Sequence, residues 1–153
     1  MTDGVTENEG LLTDNSPPPP VHDDYGVSDG RWLKINWGER IRNVTITSAL
    51  GETPVSYVDQ GEGPPILLVH GLGGSWRNWL ENIPFLSDAH RVVALDLPGF
   101  GLSPMPSEPI SMPAYGDLIL SFADAVGLGP ETYLVGHSMG GFISTEAVTS
   151  DPD

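Results

Sequence analysis

Three short apolar runs stand out along the chain: Ile66-Leu67-Leu68-Val69, Val92-Val93-Ala94-Leu95 and Tyr133-Leu134-Val135. None alternates with polar residues, and each runs into a turn-forming segment. Strands apolar on both faces belong inside a parallel sheet covered by helices. The segments between them carry helical spacing. Ser75 is placed to cap a helix starting at Trp76, with Trp79, Leu80, Ile83 and Leu86 on one face. Ser111 caps a second helix from about Met112 to Val126, with Leu118, Ile119, Phe122, Ala125 and Val126 as its stripe and Gly127 at its end. A third runs from about Met139 to Thr149, buries Phe142, Ile143 and Ala147, and stops at Asp151-Pro152-Asp153. Strands alternating with helices predict an α/β fold with a mostly parallel sheet.

The chain ahead of Ile66 reads differently. Within Arg31–Leu50, Trp32–Trp37 partly alternates and Val44-Thr45-Ile46-Thr47 is β-branched. Gly51-Glu52-Thr53 reads as a turn, and Pro54–Asp59 as a returning strand. Together they predict an antiparallel hairpin. Residues 1–30 hold seven acids, no Lys or Arg, and the run Pro17–Pro20, and so read as a disordered acidic tail with His22 in solvent. The domain is expected over 31–153.

Charge and composition narrow the function. Six Lys and Arg stand against 21 Asp and Glu, a formal net charge of −15, which repels nucleic acid and anionic membranes. With no cysteine there are no disulfides or thiolate metal sites. No apolar run approaches the length of a membrane span, and Met1–Gly10 lacks the basic start of a secretory signal. A cytoplasmic protein is therefore expected.

The chemistry sits at the ends of the apolar runs. Gly136-His137-Ser138-Met139-Gly140 fits G-x-S-x-G. Its glycines let a strand and a helix approach closely around a serine at the tip of a sharp turn, and the helix start turns free N–H groups toward developing negative charge. Alone, the pattern is a weak signal. His70-Gly71-Leu72-Gly73-Gly74-Ser75 follows the first run. Its spacing fits neither phosphate-binding pattern, G-x-x-x-x-G-K-[ST] or G-x-G-x-x-G, and it has no lysine. Asp96-Leu97-Pro98-Gly99-Phe100-Gly101-Leu102-Ser103 follows the second.

These segments, in this order, resemble the α/β-hydrolase superfamily over about residues 42–153, in particular its cofactor-free esterases, perhydrolases and carbon–carbon bond hydrolases. The resemblance implies Ser138 as nucleophile, with the backbone N–H groups of Leu72 and Met139 as the oxyanion hole, acting on a small-molecule substrate with no cofactor. Asp96 takes a loop-shaping role. Haloalkane-dehalogenase-like and epoxide-hydrolase-like relatives carry an aspartate at the elbow, where this chain has Ser138. The family's sheet order, 1-2-4-3-5-6-7-8, makes this chain its first five strands, with the elbow strand an edge prone to aggregation.

The triad order of this fold is Ser, then Asp or Glu, then His. After Ser138 the carboxylates are Glu146, Asp151 and Asp153, and no histidine follows. His137 adjoins the serine and points apart from it, His70 leads a loop, and His90 precedes a strand at the other end of the sheet. The chain therefore reads as the N-terminal half of a longer serine hydrolase, with its acid and histidine beyond residue 153. A perhydrolase, a carbon–carbon bond hydrolase, and a degenerate, non-catalytic binding module are the alternatives.

Overall fold

A computed structural model describes residues 30–150. The tail expected over residues 1–30, with Pro17–Pro20 and His22, falls outside them except for Gly30, as does the stop at Asp151–Asp153. Five strands form one sheet: β1 (Ile41–Ser48), β2 (Gly51–Gln60), β3 (Pro65–Val69), β4 (Arg91–Leu95) and β5 (Tyr133–Gly136). Their order is β1-β2-β4-β3-β5. β1 and β2 form an antiparallel hairpin, β2 runs antiparallel to β4, and β3 is parallel to both β4 and β5. This is the order implied for the first five strands of the family.

β3 and β4 are central, and their apolar residues face both ways as the unalternating runs predict. Leu67, Val69, Val93 and Leu95 join the core beneath α2 (Met112–Ala125) and α3 (Met139–Ser150). Ile66, Leu68, Val92 and Ala94 pack on the other face against Trp76 and Ile83, the latter in α1 (Asn82–Leu86). α2 begins at Ser111, whose side chain accepts the Ala114 N–H at 3.2 Å, and ends where Gly127 takes φ +70°. Its inward face also includes Ala114 and Tyr115, and Val126 just past its end packs against the core, but Ala125 is exposed.

Four local expectations are corrected by tertiary contacts. Trp32–Trp37 is not extended. It forms 3-10 turns at Arg31–Lys34 and Trp37–Glu39, because Trp37 packs at a tilt against Trp76 (centroids 5.2 Å apart) and donates its indole N–H to the Trp32 carbonyl. The hairpin turns at Ala49-Leu50, not Gly51–Thr53. Leu50 is fully buried, the Asp117 carboxylate accepts the Ala49 N–H at 2.6 Å, and Gly51 rounds the corner at φ +82°. The helix expected from Trp76 is split. Ser75 and Asn78 form a capping box over one 3-10 turn (Trp76–Trp79), and α1 is a separate short helix. Pro84 has no N–H to offer the Leu80 carbonyl, so it fits only in the first turn of a new helix.

Phe142 is the fourth. It is 73% exposed, while Gly140, Ile143, Ser144 and Ala147 face inward on α3. Tyr133, Val135 and Val148 are exposed as well, and among the described residues β5 pairs with β3 alone. The edge expected at the elbow strand is present, with apolar side chains on its open side.

Candidate active site

The register of the parallel strands assembles the site. Val69 lies beside both Leu95 and Gly136, so the next residues, His70, Asp96 and His137-Ser138, emerge together at the C-terminal end of the sheet. Ligands of open α/β sheets bind at this end.

Ser138 has φ +55°, the one non-glycine residue with positive φ among those described. That conformation costs an ordinary residue about 1–2 kcal/mol, so the surrounding structure must hold it. The two elbow glycines show how. A methyl group on Gly136 would overlap the Gly140 carbonyl, and one on Gly140 would overlap the Val69 carbonyl. Strand β5, the turn and helix α3 therefore close to a distance that only glycine permits. The turn is fixed by the His137 N–H on the Val69 carbonyl (3.0 Å) and the Gly141 N–H on the Ser138 carbonyl (2.8 Å). Ser138 itself is exposed.

The loop after β3 lies against this turn. A methyl group on Gly71 would stand 3.1 Å from the Ser138 Cβ and 3.1 Å from the His137 carbonyl. The neighbouring Leu72 is 76% exposed. Among the described residues neither the Leu72 N–H nor the Met139 N–H has a hydrogen-bond partner. Met139 opens α3, where the first N–H groups lack intrahelical acceptors.

His70 and Asp96 are both fully buried, and they tie the two loops together reciprocally. His70 Nε2 accepts the Leu97 N–H at 3.0 Å, which places the ring proton on Nδ1, 2.7 Å from the Gly71 carbonyl. Burial holds the imidazole below the usual histidine range, against the opposing influence of the Gly71 bond and the Asp96 charge. Asp96 Oδ1 accepts the Trp76 N–H at 2.7 Å, and Oδ2 accepts the Leu102 N–H at 2.8 Å. The Ser103 hydroxyl donates to the Asp96 carbonyl and accepts the Ser56 N–H, which pins this loop to β2. Both Asp96 oxygens are thus engaged by the backbone, in keeping with a loop-shaping residue.

The other histidines stand apart from Ser138 in function. His137 is exposed, with no hydrogen bond to the serine. The His90 Nδ1 faces the Pro64 carbonyl, and its ring meets Tyr133 edge-on, at the opposite end of the sheet. Sequence reasoning named the elbow and loop residues. It missed the His70 clamp, whose only sequence signal is a histidine directly after a buried strand.

The alpha/beta hydrolase fold family matches residues 64–153. The chain belongs to that family. As an α/β hydrolase it is 35% identical over 97 residues to the (E)-2-((N-methylformamido)methylene)succinate hydrolase of Acinetobacter baylyi, a match covering 63% of this chain and 36% of the relative. Epoxide hydrolase 2 of Siraitia grosvenorii is 33% identical over 119 residues, covering 75% of this chain and 36% of that protein. A thermophilic esterase from Thermogutta terrifontis superposes with a TM-score of 0.67 at 33% identity, over 71% of this chain and 40% of its own. These relatives are hydrolases. The chain spans between about a third and two-fifths of their length. Among the described residues no helix of this α/β hydrolase is long and apolar enough to cross a membrane.

Proposed function

We infer that this chain carries the nucleophile half of a serine hydrolase acting on ester or related acyl bonds. Ser138 attacks the carbonyl carbon, and the N–H groups of Leu72 and Met139 receive the oxyanion. The observation that carries this reading is the left-handed Ser138 at φ +55°, on a turn that the Gly71-Leu72 loop lies against, with the Leu72 and Met139 N–H groups lacking partners among the described residues. Donors already in place are worth about 3 kcal/mol each to the barrier in such sites.

The hydroxyl needs a base to take its proton. His70 has both ring nitrogens engaged, and among the described residues neither His90 nor His137 makes a hydrogen bond to the serine. The histidine and its acid are therefore proposed to come from outside the described residues. Serine at the elbow, where epoxide-hydrolase-like relatives carry aspartate, favours acyl transfer over epoxide opening. Leu102 and Met105, exposed on the loop after β4, favour an apolar acyl or alkyl group. A perhydrolase or carbon–carbon bond hydrolase would use the same elbow, and product analysis on an ester, on peroxide with bromide, and on a vinylogous diketone separates the three. The full engagement of His70 supports a second reading, a binding module that holds a carbonyl without turning it over.

The test is acylation of the 153-residue chain by p-nitrophenyl acetate, followed by mass spectrometry. The expected result is slow transfer of one acetyl group to Ser138, lost in Ser138→Ala, with little turnover. Acetylation that persists in Ser138→Ala overturns the nucleophile assignment. Binding of the ester without acylation favours the binding module. Rapid turnover abolished by Ser138→Ala shows instead that the described residues contain a working base.

A further inference from the structure

We propose that His70 is the positioning residue that aims the Leu72 N–H: it holds the Gly71–Leu72 peptide plane and fastens that plane to the loop after β4. The proposal rests on the serine-hydrolase reading for its catalytic meaning, but its geometric content is independent of it. The carbonyl of Gly71 and the N–H of Leu72 belong to one planar trans peptide unit and point in opposite directions. Whatever fixes the carbonyl therefore fixes the N–H. Two donors do so: His70 Nδ1 at 2.7 Å and the Gly74 N–H at 3.0 Å. With the carbonyl held there, the Leu72 N–H is left facing the other way, without a partner among the described residues.

The second ring nitrogen anchors the clamp. His70 Nε2 accepts the Leu97 N–H at 3.0 Å, and the Phe100 ring meets the imidazole edge-on with centroids 5.7 Å apart. One buried ring thus bonds Gly71 on its own loop and Leu97 on the next. Only the neutral Nδ1–H tautomer satisfies both bonds, since Nε2 must keep its lone pair. The groups of charge or titration around the ring are Asp96, on the loop it binds, and His137, whose Nδ1 lies close to Gly71. Asp96 is itself occupied by the Trp76 and Leu102 N–H groups and makes no hydrogen bond to His70.

Two substitutions separate the bonds. In His70→Asn the side-chain amide can take the place of Nδ1 on the Gly71 carbonyl, while the Leu97 acceptor is lost. In His70→Gln the side-chain oxygen can reach the Leu97 N–H instead. The first measurement is made on the wild-type chain, by histidine ring 15N NMR together with the N–H residual dipolar coupling of Leu72. The expected result is the Nδ1–H tautomer at neutral pH and a Leu72 N–H vector kept in His70→Asn but changed in His70→Gln and His70→Ala. A His70 ring in the Nε2–H tautomer, or a Leu72 vector indifferent to all three substitutions, overturns the proposal.

The second measurement is the rate of Ser138 acetylation. It should fall about 100-fold in His70→Ala, the loss usual for one oxyanion donor, and return to within tenfold of wild type in His70→Asn. Equal losses in His70→Asn and His70→Ala also overturn it, because a merely structural histidine has no reason to be rescued by asparagine over glutamine. If wild-type Ser138 is never acetylated, the hydrolase reading fails and the NMR result still decides the clamp.

Discussion

The carboxylate of Asp96 accepts the backbone N–H of Trp76 at 2.7 Å, so a residue at the end of β4 caps the helical turn that follows β3. Its other oxygen takes the Leu102 N–H. An acid that looks available for catalysis is fully committed to holding two loops in place.

Asp96→Ala leaves these two N–H groups without their acceptors, one of them buried. The expected loss of stability is about 2–6 kcal/mol, from about 1–3 kcal/mol for each of the two donors left unsatisfied. Asp96→Asn should lose less, since its single oxygen keeps one bond while its NH2 faces the other donor. Urea unfolding of both variants, followed by circular dichroism, reads the difference. A loss below about 0.5 kcal/mol for alanine, the size usual for a surface substitution, would show that its carboxylate does not hold the two loops.

The strain at Ser138 has a direct signature. Replacing it by glycine removes the cost of φ +55°, at the expense of a more flexible unfolded chain. Ser138→Gly is expected to match or exceed wild-type stability by up to about 1 kcal/mol while abolishing acetylation. Ser138→Ala abolishes acetylation with no such gain. Thermal unfolding of the pair checks this, and a Gly variant less stable than the Ala variant would show that the turn is not strained.

The elbow glycines should tolerate nothing larger. Gly136→Ala and Gly140→Ala each place a methyl group on backbone carbonyl atoms, and overpacking of this kind costs about 1–3 kcal/mol or more. Gly129 is the control. An added methyl group there meets nothing within 4 Å and the backbone is not left-handed, so Gly129→Ala should be neutral or stabilising by about 0.4–1 kcal/mol. Denaturant midpoints of the three variants make the comparison.

Burial lowers the pKa of His70 in the folded chain, so between that value and about 6.5, the ordinary value kept in the unfolded chain, the unfolded state binds the extra proton. Stability therefore rises with pH across that window and falls as the solution is acidified below about 6.5. The slope from this one group is at most about 1.4 kcal/mol per pH unit. Unfolding measured between pH 7.5 and 5 should show the decline, and His70→Asn should flatten it. An unchanged slope in the variant would assign the decline to other groups.

The open edge predicts behaviour in solution. Val135 and Phe142 are 41% and 73% exposed beside the unpaired side of β5. Val135→Lys and Phe142→Lys should cut light scattering in concentrated solution, since charge on an edge strand opposes edge-to-edge pairing. Each should alter stability by less than about 0.5 kcal/mol. Unchanged scattering would place the sticky surface elsewhere.

The sequence by itself determined the central strands, since runs as apolar as Ile66–Val69 and Val92–Leu95 have no stable place except between two layers. It also determined the elbow, because G-x-S-x-G states a steric requirement in residue types. The cap at Ser111 and the stop at Gly127 were legible for the same reason: each is a local backbone demand met by a local residue. What only the tertiary structure decided were the points where a distant partner outweighed the local pattern. Trp76 drew Trp37 out of an extended run, and Leu50 moved a hairpin turn by entering the core. The packing of α3 on α2 left Phe142 outside. The roles of His70 and Asp96 belong to this second kind. Each is defined by N–H groups on the opposite loop, 27 and 20 residues away, and no spacing along the chain records which way those groups point.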